Sequence, residues 1–151
     1  MTTESRPYTV SSMVLLPRLT KQMLRRTSAE ALGMDLRLLM ALSYVGDHDG
    51  APQHELVDAL CMDAKNVVLL LNELEDGGYL VRRRDSEDRR RHRVHITVAG
   101  RQALERASRT LDELEDEVLV ALDADERAVV LWDLLARALR GAEPARAAAN
   151  P

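Results

Sequence analysis

The 151-residue chain has no phenylalanine and a single cysteine, and aromatic residues make up only 3% of it. One thiol excludes an intramolecular disulfide framework and any zinc centre that needs several thiolates. No long apolar run is present either. Near the N-terminus Met13–Leu16 is cut by Pro17, which is too short for a membrane span or a signal core. The expected compartment is therefore the cytoplasm, with no membrane partner. A glycine-rich phosphate loop, a nucleophile elbow and paired carboxylates in a credible cleft are all missing, so neither an enzyme nor a cofactor is expected. With so few rings, Tyr44, Tyr79 and Trp132 remain as stacking groups for an aromatic ligand.

What is present is apolar material and unevenly placed charge. At 46% apolar residues the chain can fold unaided as one domain or as two lobes sharing a core. Its formal charge of −4 hides two opposite patches. Residues 82–93 (RRRDSEDRRRHR) hold seven arginines against three acids, a local +4. Residues 112–126 hold eight acids and no lysine or arginine. A footprint for a polyanion is local, so the basic segment keeps nucleic acid open as a partner.

Helical periodicity dominates. Val10, Val14, Leu15, Leu19, Met23 and Leu24 predict a helix over 9–31, kinked at Pro17 or starting there, and ended by Gly33. Asp35 caps a second helix over 36–46 built on Leu36, Leu39, Met40 and Val45, and 46–52 reads as a loop. Pro52 suits the first turn of a helix reaching Leu60, with Leu56, Val57 and Leu60 inward. After the short turn Cys61-Met62, Asp63 caps a helix over 64–76 with Val67, Leu70, Leu71 and Leu74 on one face. Two helices joined this tightly form a helix-turn-helix. The period then changes to that of strands at 79–84 and 93–97, joined by the polar hairpin Asp85–His92. Thr97 caps a long helix over 98–121. A last helix carries Val129, Val130, Trp132, Leu135 and Leu139 and ends at Gly141, with a frayed tail beyond. The fold class is mainly α with a small β-hairpin wing. The outer helices carry more apolar surface than so small a centre covers, which predicts a homodimer.

Residues 53–100 resemble the winged helix-turn-helix of the MarR (multiple antibiotic resistance regulator) family. The specific piece is DSEDRRRHRVHIT, where Asp85, Asp88, Arg89, Arg90, Val94, Ile96 and Thr97 fall on that family's wing pattern, followed by Gly100. The resemblance implies a dimeric regulator of transcription, most often a repressor. It would place one recognition helix and one wing per subunit on a palindromic operator, and a small-molecule effector acting near the junction of the two lobes would release it. It also implies a division into 1–34, an N-terminal dimerisation helix; 35–99, the DNA-binding lobe; 100–140, C-terminal dimerisation helices; and 141–151, a disordered tail. Two departures stand out: Cys61 replaces the usual glycine of the tight turn, and Val68 and Leu69 replace the usual hydroxyl residue and arginine.

The candidate DNA-binding residues are Lys65, Asn66, Val68, Leu69, Asn72, Arg84, Arg89, Arg90 and Arg91, with Asp85 and Asp88 structuring the wing. Arg90 at the hairpin tip suits a narrow minor groove, with Asp88 placed to hold it or Arg89. Lys65 suits phosphate. Asn66 either pairs with adenine or partners Asp63 in the cap, and Val68 and Leu69 either read thymine methyls or pack on a neighbour. Alternatives stay open: a helical protein–protein adaptor with a vestigial wing, a thiol-responsive regulator through Cys61, or a metal-responsive one. His48 and His54 lack the spacing of a helical metal site, and His92 and His95 are better explained as wing residues, so no metal is expected.

Overall fold

The computed structural model describes residues 11–142. Helix α1 (Ser12–Leu24) begins at Ser11, whose hydroxyl accepts the Met13 N–H at 3.2 Å. Pro17 lies inside this helix rather than at its start. The single helix predicted over 9–31 is two, and residues 9 and 10 fall outside the described residues. Side chains that compete for backbone partners cause the break. Thr27 Oγ1 donates to the Met23 carbonyl at 2.9 Å, and the Ser28 hydroxyl accepts the Ala31 N–H at 3.1 Å, starting α2 (Ala29–Leu32).

Asp35 caps α3 (Leu36–Asp47) by accepting the Arg37 N–H at 2.8 Å. This helix forms the middle of the core through Leu38, Leu39, Ala41, Leu42 and Val45. Met40, expected inside, is 53% exposed, because the buried stripe runs through Leu38 and Leu42 instead. The predicted loop after α3 contains a strand, β1 (Ala51–Pro52), which pairs with Arg93 and Val94. Pro52 therefore sits in a strand and not in a helix. It is tolerated because β1 is an edge strand that leaves its missing N–H unneeded. Helix α4 (Glu55–Ala59) starts three residues later than Pro52 and buries Leu56.

Helix α5 (Ala64–Asp76) buries Val67, Leu70, Leu71 and Leu74 against α3 and the sheet. Strands β2 (Leu80–Arg84) and β3 (His92–Ile96) pair antiparallel from Leu80↔Ile96 to Arg84↔His92, and the sheet order is β1-β3-β2. Thr97 then caps α6 (Val98–Val118): its hydroxyl accepts the Gly100 N–H at 3.0 Å and donates to the Gly78 carbonyl at 2.7 Å. Gly100 explains itself sterically. A Cβ there would run into the Tyr79 carbonyl oxygen, so helix and strand approach as closely as glycine permits. Helix α6 ends three residues earlier than predicted. The last helix opens with a π-helical segment, Glu126–Leu131, and continues as α7 (Trp132–Ala142). Gly141 lies within α7 rather than ending it, Ala142 of the predicted frayed tail is helical, and the rest of that tail lies outside the described residues.

Candidate nucleic-acid interface

The turn between α4 and α5 carries the only described non-glycine residue with positive φ, Cys61 at 51°. An L residue in this left-handed region is strained. Its thiol is exposed, with Sγ 3.7 Å from the Asp58 carbonyl. Asp63 starts α5 by accepting the Asn66 N–H at 2.8 Å through Oδ1. Its Oδ2 accepts from Asn66 Nδ2 at 2.7 Å. Asn66 is thus the capping partner of Asp63. The five-residue apolar run divides as helix geometry requires: Val67, Leu70 and Leu71 are buried, while Val68 and Leu69 remain 37% and 54% exposed. They do not pack into this chain's core. Lys65 and Asn72 also lie on the exposed side.

The wing is stiffened at its root. Asp85 is the one buried charged group among the described residues, 7% exposed. Its Oδ1 accepts the Glu87 N–H at 2.8 Å and its Oδ2 accepts Arg93 Nε at 2.7 Å. These donors hold its carboxyl below the ordinary carboxylate range, the Glu87 N–H most of all. Arg93 reaches on to the Gly50 carbonyl at 3.0 Å, tying the wing to the loop before β1. At the tip, Asp88 Oδ1 accepts the Arg90 N–H at 3.0 Å, while Oδ2 lies 3.3 Å from Arg91 Nε. The carboxylates therefore hold Arg91 and Arg93, not the side chains of Arg89 or Arg90. Arg84, Arg89 and Arg90 are exposed and carry no side-chain ion pair among the described residues.

A second arginine of the basic segment has an internal role that charge counting missed. Arg82 donates its N–H and Nε to Glu75 at 2.9 and 3.0 Å, and its Nη2 to Glu75 and Asn72, each at 2.6 Å. Glu75 is held in its ionised form below its usual pKa, foremost by the Arg82 guanidinium. This network joins the wing's first strand to α5 and engages the Asn72 side chain within the protein. The sequence signal was available only in part, as an acid seven residues before an arginine that turns inward. The wing tip and α5 share one face: Val57, Ala64, Val68, Arg90, Arg91 and His92 border a single cleft of about 250 Å³.

Away from that face, a cavity of about 490 Å³ opens between α3, the end of α4, α6 and α7. Tyr44 and His48 stack on its wall with ring centroids 4.3 Å apart. A neighbouring cavity of about 600 Å³ shares Asp47, His48 and Leu139 with it and is bordered by Trp132 and Glu115. Burial, with Asp112 and Asp116 nearby, pushes the Glu115 carboxyl above its ordinary value. Tyr79 is elsewhere, beside the α5–β2 turn. His95 lies 3.5 Å from Asp49 at the sheet, and His54 and His92 border the cleft. The outer helices expose apolar groups generously: Met13, Leu15 and Leu16 on α1, and Trp132, Leu134, Leu135 and Leu139 on α7.

A tight two-helix turn, an outward second helix and a clamped hairpin with unpaired arginines together define a winged helix-turn-helix protein. A family model described as MarR family matches residues 32–91, from the end of α2 to the wing tip. The HTH-type transcriptional regulator BilQ of Clostridium symbiosum (strain WAL-14163) is 30% identical over 95 residues, 63% of this chain and 66% of BilQ. The matched segment thus spans just under two thirds of that relative. Wild-type MarR from E. coli superposes with a TM-score of 0.73 at 21% identity, covering 87% of this chain and 98% of that one. A mutant of MepR from S. aureus, solved bound to an oligodeoxyribonucleotide, gives 0.58 at 24% identity over 87% and 98%. Residues 32–91 carry the MarR-family match, and the chain is similar to curated transcriptional regulators over 63–70% of its length.

Proposed function

We propose that this chain is a cytoplasmic homodimeric repressor that binds a palindromic DNA operator and releases it when a small molecule enters the cavity between α3, α6 and α7. The observation that carries the reading is the shared face: the unpaired Arg90 and the Asp88-held Arg91 of the wing tip and the exposed side of α5 border one cleft. Lys65 and the wing arginines Arg84, Arg89, Arg90 and Arg91 supply charge to phosphate and groove, Arg90 foremost. Val68 and Leu69 meet thymine methyls in the major groove. Asn66 and Asn72, whose side chains are engaged by Asp63 and Arg82, shape the interface rather than read bases. The N-terminal and C-terminal helices form the dimer, residues 35–99 the DNA-binding lobe. Exposed apolar groups on α1 and α7 support that division. No helix among the described residues is long and apolar enough to cross a membrane, in keeping with a cytoplasmic regulator.

The test is capture and sequencing of genomic fragments bound by the purified chain, followed by a salt titration on the recovered sequence. Repression is expected where that sequence overlaps a promoter. Affinity should fall steeply with salt, since each neutralised phosphate releases counterions. A protein–protein adaptor is the second reading, favoured by the apolar Val68 and Leu69 on the outward face of α5. It predicts no recovered sequence and little salt-dependent retention on DNA.

A further inference from the structure

We propose that the two adjoining cavities take a flat organic cation, its ring against the Tyr44–His48 stack and its charge beside Asp47. This rests on the reading of that space as the effector site.

The argument is one of charge and shape. Among the residues bordering the chamber between α3, α4, α6 and α7, none is lysine or arginine, and Asp47 is the one carboxylate. Asp47 has no ion-pair partner among the described residues. An aromatic carboxylate placed there would lie beside the like charge of Asp47, which is itself exposed. A cation finds the reverse, with apolar contact from Leu36, Leu39 and Leu111 around it. The stacked rings add a second attraction, because an aromatic face draws a positive charge held over it.

The adjoining chamber continues the pattern. Glu115 borders it, and burial together with its acidic neighbours makes that carboxyl a group whose ionised form a nearby cation would favour. Two arginines border the same chamber. Arg127 is engaged by Asp116 at 3.0 Å and by the Leu122 carbonyl at 2.6 Å. Arg140 is exposed and is the one position that would attract an anion.

The experiment uses the full chain and three probes of similar size: N-methylquinolinium, 2-naphthoate and neutral 2-naphthol. Binding is read by calorimetry and by quenching of Trp132, the chain's only tryptophan, which borders the second chamber. N-methylquinolinium is expected to bind at least about tenfold more tightly than 2-naphthoate. Asp47→Asn should weaken the cation about tenfold and leave 2-naphthol and the melting temperature unchanged. Tighter binding of 2-naphthoate, abolished by Arg140→Ala, would overturn the proposal. So would unchanged cation affinity in Asp47→Asn. A separate arm adds the cation to the chain bound to its recovered DNA sequence. If the cation binds in an Asp47-dependent way but leaves the DNA bound, the ligand class stands and the effector reading falls.

Discussion

Replacing Cys61 by glycine should stabilise the protein, and the sign follows from two opposed terms. Cys61 holds φ at 51°, where the Cβ of an L residue crowds its own backbone. That costs about 1–2 kcal/mol, which glycine avoids. Glycine's larger loss of backbone freedom on folding offsets about 0.5–1 kcal/mol of the gain. The thiol contributes little in return, since it is exposed and its only partner is a carbonyl at 3.7 Å. The net is a stabilisation of about 0.5–1 kcal/mol, or a rise in Tm of roughly 1–4 °C for a chain of this size. The assay is equilibrium urea unfolding at one fixed protein concentration, because the midpoint of the proposed dimer would depend on concentration. The midpoint should rise with an unchanged slope. Cys61→Ala is the control: it removes the thiol and keeps the Cβ, so it should gain nothing. If the alanine variant matches the glycine variant, or if glycine destabilises, the strain argument is wrong.

Four other outcomes are expected. Arg90→Ala should weaken binding to the recovered DNA sequence by about 1–3 kcal/mol with unchanged unfolding, measured by fluorescence anisotropy; parent-like affinity would remove Arg90 from the interface. Replacing half-site thymines by uracil should reduce affinity for the parent and not for Leu69→Ala; indifference of both would show that Leu69 reads no methyl group. Asp85 has a lowered folded pKa, so its contribution is complete above the ordinary value of 3.8 and is lost as pH falls through the folded value. The urea midpoint of the parent should accordingly drop more between pH 6 and about pH 3 than that of Asp85→Asn. Gly100→Ala should destabilise by about 1–3 kcal/mol in the same urea assay, since the new methyl group meets the Tyr79 backbone rather than a movable side chain.

Much of this architecture can be read from the sequence, because its signals are local. Asp35, Asp63 and Thr97 announce three helix starts by their capping chemistry, and each makes the expected bond. The strands predicted at 79–84 and 93–97 lie within a residue of β2 and β3. The failures are non-local. A two-residue strand such as β1 has no periodicity of its own and exists because β3 offers it a partner 41 residues later in the register, Pro52↔Arg93. Inside the basic segment, seven arginines look alike as letters. Which of them turns toward Glu75, which clamps Asp85 and which stays free depends on pleat and register, settled only when the strands meet α5. Likewise Leu38 and Leu42 became core in place of Met40 because α6 and the sheet, not the helix alone, choose the buried stripe.

The sheet order has a consequence for how such a protein can vary. Strand β3 lies between two partners, and its Arg93 is fastened to Asp85 on one side and to the Gly50 carbonyl on the other. An added or deleted residue within β3 would therefore shift the register on β1 and β2 at once and reverse which side chains face the core. The turn between Asp85 and Arg91 is under no such constraint, and a longer loop there costs little in closure entropy. The length of the hairpin can thus change in that short turn alone, while the base that aims it stays the same.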